Sequence, residues 1–178
     1  MFQLRQVNVR PVSTENWKDF ELLFESPGAP HYCWCMVWRS REGTTGKSSG
    51  KETMKKNIFK NVPVGLLAYA ANEPVAWCSV APRETYKYLG GDESKDNVWS
   101  LVCFFIKREF RGKGISKLLV QEAKNYARVS GAEFLEAYPV MPDSRSYRFM
   151  GMVPVFRKLG FKYVKKAGSK RHVMIAKL

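Results

Sequence analysis

The chain has 178 residues, 45% of them apolar and 26% charged, with a formal charge of +14. That apolar share supports one substantial core, so a single globular domain over residues 1–178 is expected and two full domains would be cramped. The opening "MFQLRQVNVRPV" alternates and carries Arg5 instead of the apolar run of a signal peptide or membrane helix. A soluble, cytoplasmic protein with no membrane partner is therefore expected.

In chain order, "QLRQVNVRPV" reads as a first strand. "STENWKDFELLFES" follows as a helix capped by Ser13 or Thr14, with Trp17, Phe20, Leu23 and Phe24 at helical spacing. The stretch "HYCWCMVWRS" is aromatic and irregular. "SREGTTGKSSGK" is polar and glycine-rich, which predicts a mobile loop over about 40–51, and "KETMKKNIFKNV" reads as a short helix. "VGLLAYA", the turn "ANEP" and "VAWCSVAP" form a hairpin, while the apolar run "VWSLVCFFI" marks a strand covered on both faces. "ISKLLVQEAKNYARVSG" puts Ile115, Leu118, Leu119, Ala123, Tyr126 and Ala127 on one helix face and ends at Gly131, a C-terminal cap. "EFLEAYPV" is the next strand, "MVPVFRKLG" a short helix and "FKYVKKAGSKRHVMIAKL" a closing hairpin.

Cys33, Cys35, Cys78 and Cys103 are unevenly spaced in apolar or aromatic surroundings, which suits reduced, buried thiols better than a secreted disulfide framework. The positive excess sets up a field that attracts nucleic acid, acidic membrane or a phosphorylated cofactor. Lys and Arg occur along most of the chain, so a generally basic solvated surface explains the charge equally well.

The most informative junction is the buried strand, the link "KREF" and then "RGKGIS" opening an amphipathic helix. The first N–H groups of a helix have no internal partner and carry the positive end of its dipole, so they form an anion site. Gly112 and Gly114 would let a pyrophosphate approach the main chain, with Arg111, Lys113 and Lys117 adding charge; the same glycines would also serve a plain tight turn. Gly46-Lys47-Ser48 is no P-loop, because Arg41 stands where that motif needs a glycine and no strand precedes it.

"RGKGIS", with Arg111 and Gly114 and a small departure at Ser116, resembles the pyrophosphate signature of the GNAT acyl-CoA N-acyltransferases. The resemblance extends through "FRKLGF" and back through the "VGLLAYA" hairpin, covering most of residues 60–178. It implies an α/β (α+β) fold: one GNAT-like domain, a twisted mixed sheet splayed at the cofactor site, with helices on both faces. It further implies acetyl-CoA as co-substrate. The pantetheine arm would bind the backbone of Phe104 and Ile106. The phosphates would lie on the segment of Arg111, Gly112, Lys113, Gly114, Ile115, Ser116 and Lys117. An amine would attack the thioester directly, with no metal. Many relatives carry a tyrosine near the cofactor sulfur where this chain has Phe156. Tyr138, Tyr147 or solvent would then protonate the thiolate, unless it leaves unaided. Glu136, flanked by Leu135 and Ala137, is the candidate base, with a structural ion pair as the alternative. Cys103 reads as a small buried hydrophobe and not a nucleophile.

The aromatic stretch offers His31, Cys33 and Cys35 but no second compact ligand pair, and Cys-Trp-Cys lacks the spacing of a redox motif. It reads as the wall of an acceptor pocket, with Tyr32, Trp34 and Trp38 as apolar, cation-attracting faces and Arg39 as an anion anchor, against plain core packing. The expected function is acetyl transfer from acetyl-CoA to a small-molecule or peptide amine, with a homodimer left open. The alternatives are a basic nucleic-acid or ribosome-associated module and a non-catalytic acyl-CoA-binding protein.

Overall fold

The computed structural model describes residues 3–39 and 47–178, the side chains of 47–49 excepted. Its centre is one mixed sheet of seven strands: β1 (Val7–Pro11), β2 (Leu66–Ala70), β3 (Glu73–Pro82), β4 (Val98–Ile106), β5 (Phe134–Ala137), β6 (Lys162–Ala167) and β7 (Arg171–Lys177). They lie in the order β1-β2-β3-β4-β5-β7-β6, and only β4 and β5 pair in parallel. The helices are α1 (Trp17–Glu25), α2 (Lys47–Phe59), α3 (Ile115–Val129) and α4 (Val153–Lys158). Among the described residues no helix is long and apolar enough to cross a membrane.

Alternation along the strands divides the sheet into two buried faces. Leu66, Ala68, Ala76, Cys78 and Leu101 pack with Ile115, Leu119 and Ala123 of α3. Leu67, Tyr69 and Trp77 point the other way, onto Phe20, Leu23 and Phe24 of α1 and Met54 and Ile58 of α2. The β2–β3 turn is tight because Ala71 and Asn72, at φ +49° and +67°, both take the left-handed conformation of a two-residue hairpin loop. Gly131 (φ +90°) ends α3 as expected.

Three element ends differ from expectation. α1 is entered through Asn16, not Ser13 or Thr14: the Asn16 side chain accepts from Ser13 N (2.8 Å) and donates to the Pro11 carbonyl (2.9 Å), so helical geometry begins only at Trp17. α2 begins at Lys47, inside the stretch expected to be a loop. Gly50 belongs there for closeness, since a Cβ on it would stand 3.0 Å from the Cys33 carbonyl oxygen; residues 40–46 of that stretch lie outside the described residues. β5 stops at Ala137, before Pro139, which has no N–H to donate, and Val140 makes only isolated bridges to Met152 and Arg171.

β4 carries the feature that shapes the site. Ser79 of β3 stands opposite Cys103 but Val80 stands opposite Leu101, so Val102 is an extra residue, a β-bulge. The bulge reverses the alternation. Trp99 and Leu101 face α3, whereas Cys103 and Phe105 face α1.

Candidate active site

β5 pairs with β4 only as far as Leu101 opposite Ala137, and the bulge follows at once. Residues 102–106 therefore continue with β3 on one side and no strand on the other, which leaves one edge of backbone N–H and C=O groups unpaired by the sheet. A cavity of about 880 Å³ fills this opening. Cys103, Phe104, Phe105 and Ile106 supply its floor, Arg111, Ser116 and Val120 one end, and Val155 and Phe156 of α4 one wall. The other end is formed by Tyr32, Cys33, Cys35 and Trp38 from the aromatic stretch, with Lys87, Arg148 and Phe149 from two loops.

At the α3 end, Gly112 and Gly114 adopt φ +73° and +85°, a conformation that costs other residues about 1–2 kcal/mol. Nothing lies within 4 Å of where a Gly112 Cβ would be, so the glycine opens space in front of the helix. Lys117 and Leu118 both donate to the Gly114 carbonyl, at 3.0 and 3.2 Å. The N–H groups of Ile115 and Ser116, one turn earlier, have no acceptor within the helix and carry its positive end. Ile115 is a buried core residue, Ser116 lines the cavity, and Lys113 stacks over Phe110 at 5.3 Å. Arg111 donates from Nε to the Ile106 carbonyl at 2.9 Å, tying the end of β4 to this turn. A helix start, two left-handed glycines and several cations can hold a pyrophosphate.

The expected acid and base candidates stand elsewhere. Glu136 is fully buried and does not line the cavity. Its oxygens accept from Arg83 Nε (2.8 Å) and a terminal Arg83 nitrogen (2.6 Å), from Ser100 Oγ (2.8 Å), from Asp92 N–H (3.3 Å) and from the Tyr138 hydroxyl. It is the ion-pair alternative, with an arginine in place of a lysine. Burial and then the Glu136 charge push the Tyr138 phenol above its ordinary range. Tyr147 is half-exposed beside Trp38 and Phe149, at 6.1 Å from each ring, and does not line the cavity.

The aromatic stretch divides. Tyr32 and Trp38 line the cavity. Trp34 is fully buried between α1 and α2, stacked 5.0 Å from Phe24, and Arg39 is a buried clamp instead of an anchor facing a ligand. Trp34 and Cys35, at φ +48° and +52°, turn the chain so that Cys35 Sγ lies 3.3 Å from Cys103 Sγ. The Cys35–Cys103 hydrogen bond, with burial, raises the Cys35 thiol well above its ordinary range. The Cys33 thiol is raised by its hydrogen bond with Cys35 and by burial. All four cysteines are free, and among the described residues no group of His, Cys, Asp or Glu gathers to hold a metal.

The family model described as "Acetyltransferase (GNAT) family" matches residues 15–161. The chain belongs to that family. No curated protein matches it, but solved GNAT structures do. PaiA N-acetyltransferase of Thermoplasma acidophilum, solved with coenzyme A, is 18% identical at TM-score 0.59, covering 97% of this chain and 99% of its own. A ribosomal-protein-alanine N-acetyltransferase of Brucella melitensis is 15% identical at TM-score 0.59, covering 96% and 99%. A GNAT acetyltransferase of Streptococcus pneumoniae is 13% identical at TM-score 0.60, covering 97% and 99%. At these identities the similarity is one of fold. In this GNAT domain Lys87, Arg148 and Phe149 are among the cavity residues that sequence reasoning missed. They enter from loops, and only the turn and loop composition around them was visible in the sequence.

Proposed function

We propose that this GNAT protein is an acyl-CoA-dependent N-acetyltransferase that moves an acetyl group directly onto a small-molecule or peptide amine. One observation carries the reading: the unpaired edge of β4 and the start of α3, through Arg111 and Ser116, line the same cavity, as a ligand with an extended amide-bearing arm and a pyrophosphate requires. Acetyl-CoA, when bound, supplies an activated thioester carbonyl. The backbone of Phe104 and Ile106 would orient its arm and the amides of Gly112, Lys113, Gly114, Ile115, Ser116 and Lys117 its phosphates. Phe104 and Phe156, whose rings lie 6.4 Å apart, wall the reacting end with apolar surface and favour a short acyl group.

Among the described residues that line the cavity there is no carboxylate and no imidazole. Tyr32 lines it, and the cost of desolvation, then the neighbouring thiols, hold its phenol above the usual tyrosine range. Tyr32, Cys33 and Cys35 therefore stay protonated at neutral pH and can donate but not abstract. The amine loses its proton to water before attack, and the leaving thiolate gains one from solvent or from the Tyr32 hydroxyl. Glu136 and Tyr138 then hold the β4–β5 junction, and Tyr147 supports Trp38. Free thiols and acetyl-CoA as a metabolite suit a reducing cytoplasm.

Calorimetric titration with CoA tests this reading. The parent protein should bind one CoA, and Gly114→Glu, which brings a negative charge to the start of α3 at a strained position (φ +85°), should lose that binding. Equal affinity in a folded Gly114→Glu protein would overturn the assignment.

A further inference from the structure

The end of the cavity away from α3 carries positive charge and, among the described residues, no negative charge. Lys87 and Arg148 line it together with Trp38 and Phe149. The Lys87 N–H donates to the Trp38 carbonyl at 2.8 Å, which fixes the lysine's backbone beside the indole's. One terminal nitrogen of Arg148 donates to the carbonyls of Pro142 (2.8 Å) and Ser144 (3.0 Å), so the guanidinium is held by neutral acceptors. Arg171 lies 5.4 Å from the Trp38 ring centre, and one of its terminal nitrogens is buried with no hydrogen-bond partner. Among the described residues the ion pairs are Lys51 with Glu21 and Glu25 and Arg83 with Glu136, so none of these three cations is neutralised by a carboxylate.

Two cations lining the cavity and a third against the indole, with no carboxylate beside them among the described residues, repel a polyamine and attract an anion attached to an apolar body. Resting on the acetyltransferase reading above, we propose that the acceptor is a primary amine bearing a carboxylate on an apolar or aromatic frame, an amino-acid-like molecule. Its carboxylate meets Lys87 and Arg148, its apolar body lies against Trp38 and Phe149, and its amine points along β4 toward the thioester. The same positive field disfavours the ammonium form, so the amine enters the reaction neutral with its proton released to water. The nitrogen–carbon bond then forms as the carbon–sulfur bond breaks, and the second proton leaves the nitrogen while the CoA thiolate takes one up. The balance is ammonium plus acetyl-CoA giving amide, free CoA thiol and one proton.

The test begins by establishing CoA binding calorimetrically, because a parent protein that does not bind CoA overturns the cofactor reading and this one with it. With CoA binding in hand, alanine, leucine, phenylalanine and tryptophan are each compared with their amides and decarboxylated amines for release of CoA thiol. The same compounds are titrated into CoA-loaded protein. Carboxylates should be preferred by about tenfold or more in kcat/KM, most of it in KM. Lys87→Gln and Arg148→Gln should each raise KM for the carboxylate about tenfold with CoA affinity kept, and Lys87→Glu should turn the preference toward the decarboxylated amine. Decarboxylated amines used equally well, no turnover of any carboxylate by CoA-competent protein, or loss of CoA affinity in the Lys87 and Arg148 variants would each overturn the assignment.

Discussion

Arg39 uses its guanidinium inside the molecule. Its terminal nitrogens donate to the carbonyls of Pro63 (3.2 Å) and Val64 (3.3 Å), to the hydroxyls of Thr85 (3.3 Å) and Ser79 (3.1 Å), and to the Tyr86 oxygen (2.7 Å). The guanidinium also sits 4.2 Å from the Tyr86 ring centre. Arg39→Met removes the donors that these buried neutral groups depend on, and a loss of about 1–3 kcal/mol in urea unfolding is expected. Glu136 makes the parallel case: Arg83→Met strands a buried carboxylate at a cost of about 3–5 kcal/mol, and adding Glu136→Gln should recover part of it. An Arg83→Met protein as stable as its parent would show that the pair is not structural. Activity should rise with pH along the ionisation of the acceptor amine, because the lining phenol and thiols stay protonated; acceptors of lower amine pKa should shift the profile down by the same amount. A rise near pH 6 that ignores the acceptor would require a base on the protein. Arg39, Trp34, Glu136 and Tyr138 are residue types that serve equally in a buried clamp and in a reaction. Arg39 and Glu136 find most of their partners far along the chain, as with Arg83 and Glu136 at a separation of 53 positions, so the local sequence does not separate the two roles.

At the scale of elements, the start of α3 can be tested against its own far end. Gly112 and Gly131 share positive φ (+73° and +90°) and have nothing within 4 Å of an added Cβ. Alanine at either should cost about the same 1–2 kcal/mol of backbone strain, but only Gly112→Ala should weaken CoA binding, by about tenfold. Equal CoA affinity in the two variants would remove the phosphates from this turn. The strand, the glycine turn and the amphipathic helix were legible because each has a local signature. The bulge at Val102 was not. A strand covered on both faces is apolar throughout, so one inserted residue breaks no alternation, although it turns Cys103 and Phe105 toward α1. The early start of α2 was hidden for a related reason, since Gly50 reads as loop in sequence and serves close packing against Cys33 in space.

For the whole molecule, the charge of +14 suits both a phosphate-bearing co-substrate and a polynucleotide, and salt separates them. A protein making many phosphate contacts along RNA loses about three to five orders of magnitude in affinity between 50 and 200 mM salt. CoA binding here should weaken by about tenfold at most over that range, and RNA should not survive purification at moderate salt. Tight, steeply salt-dependent RNA retention would favour the nucleic-acid role instead. Amide hydrogen exchange with and without CoA decides whether the cleft holds the co-substrate, because it reads the two halves of the cleft separately. CoA should slow exchange at residues 102–106 and 112–117 together and leave β1 and β6 unchanged; protection of β1 or β6, or of one segment without the other, would contradict the cofactor assignment.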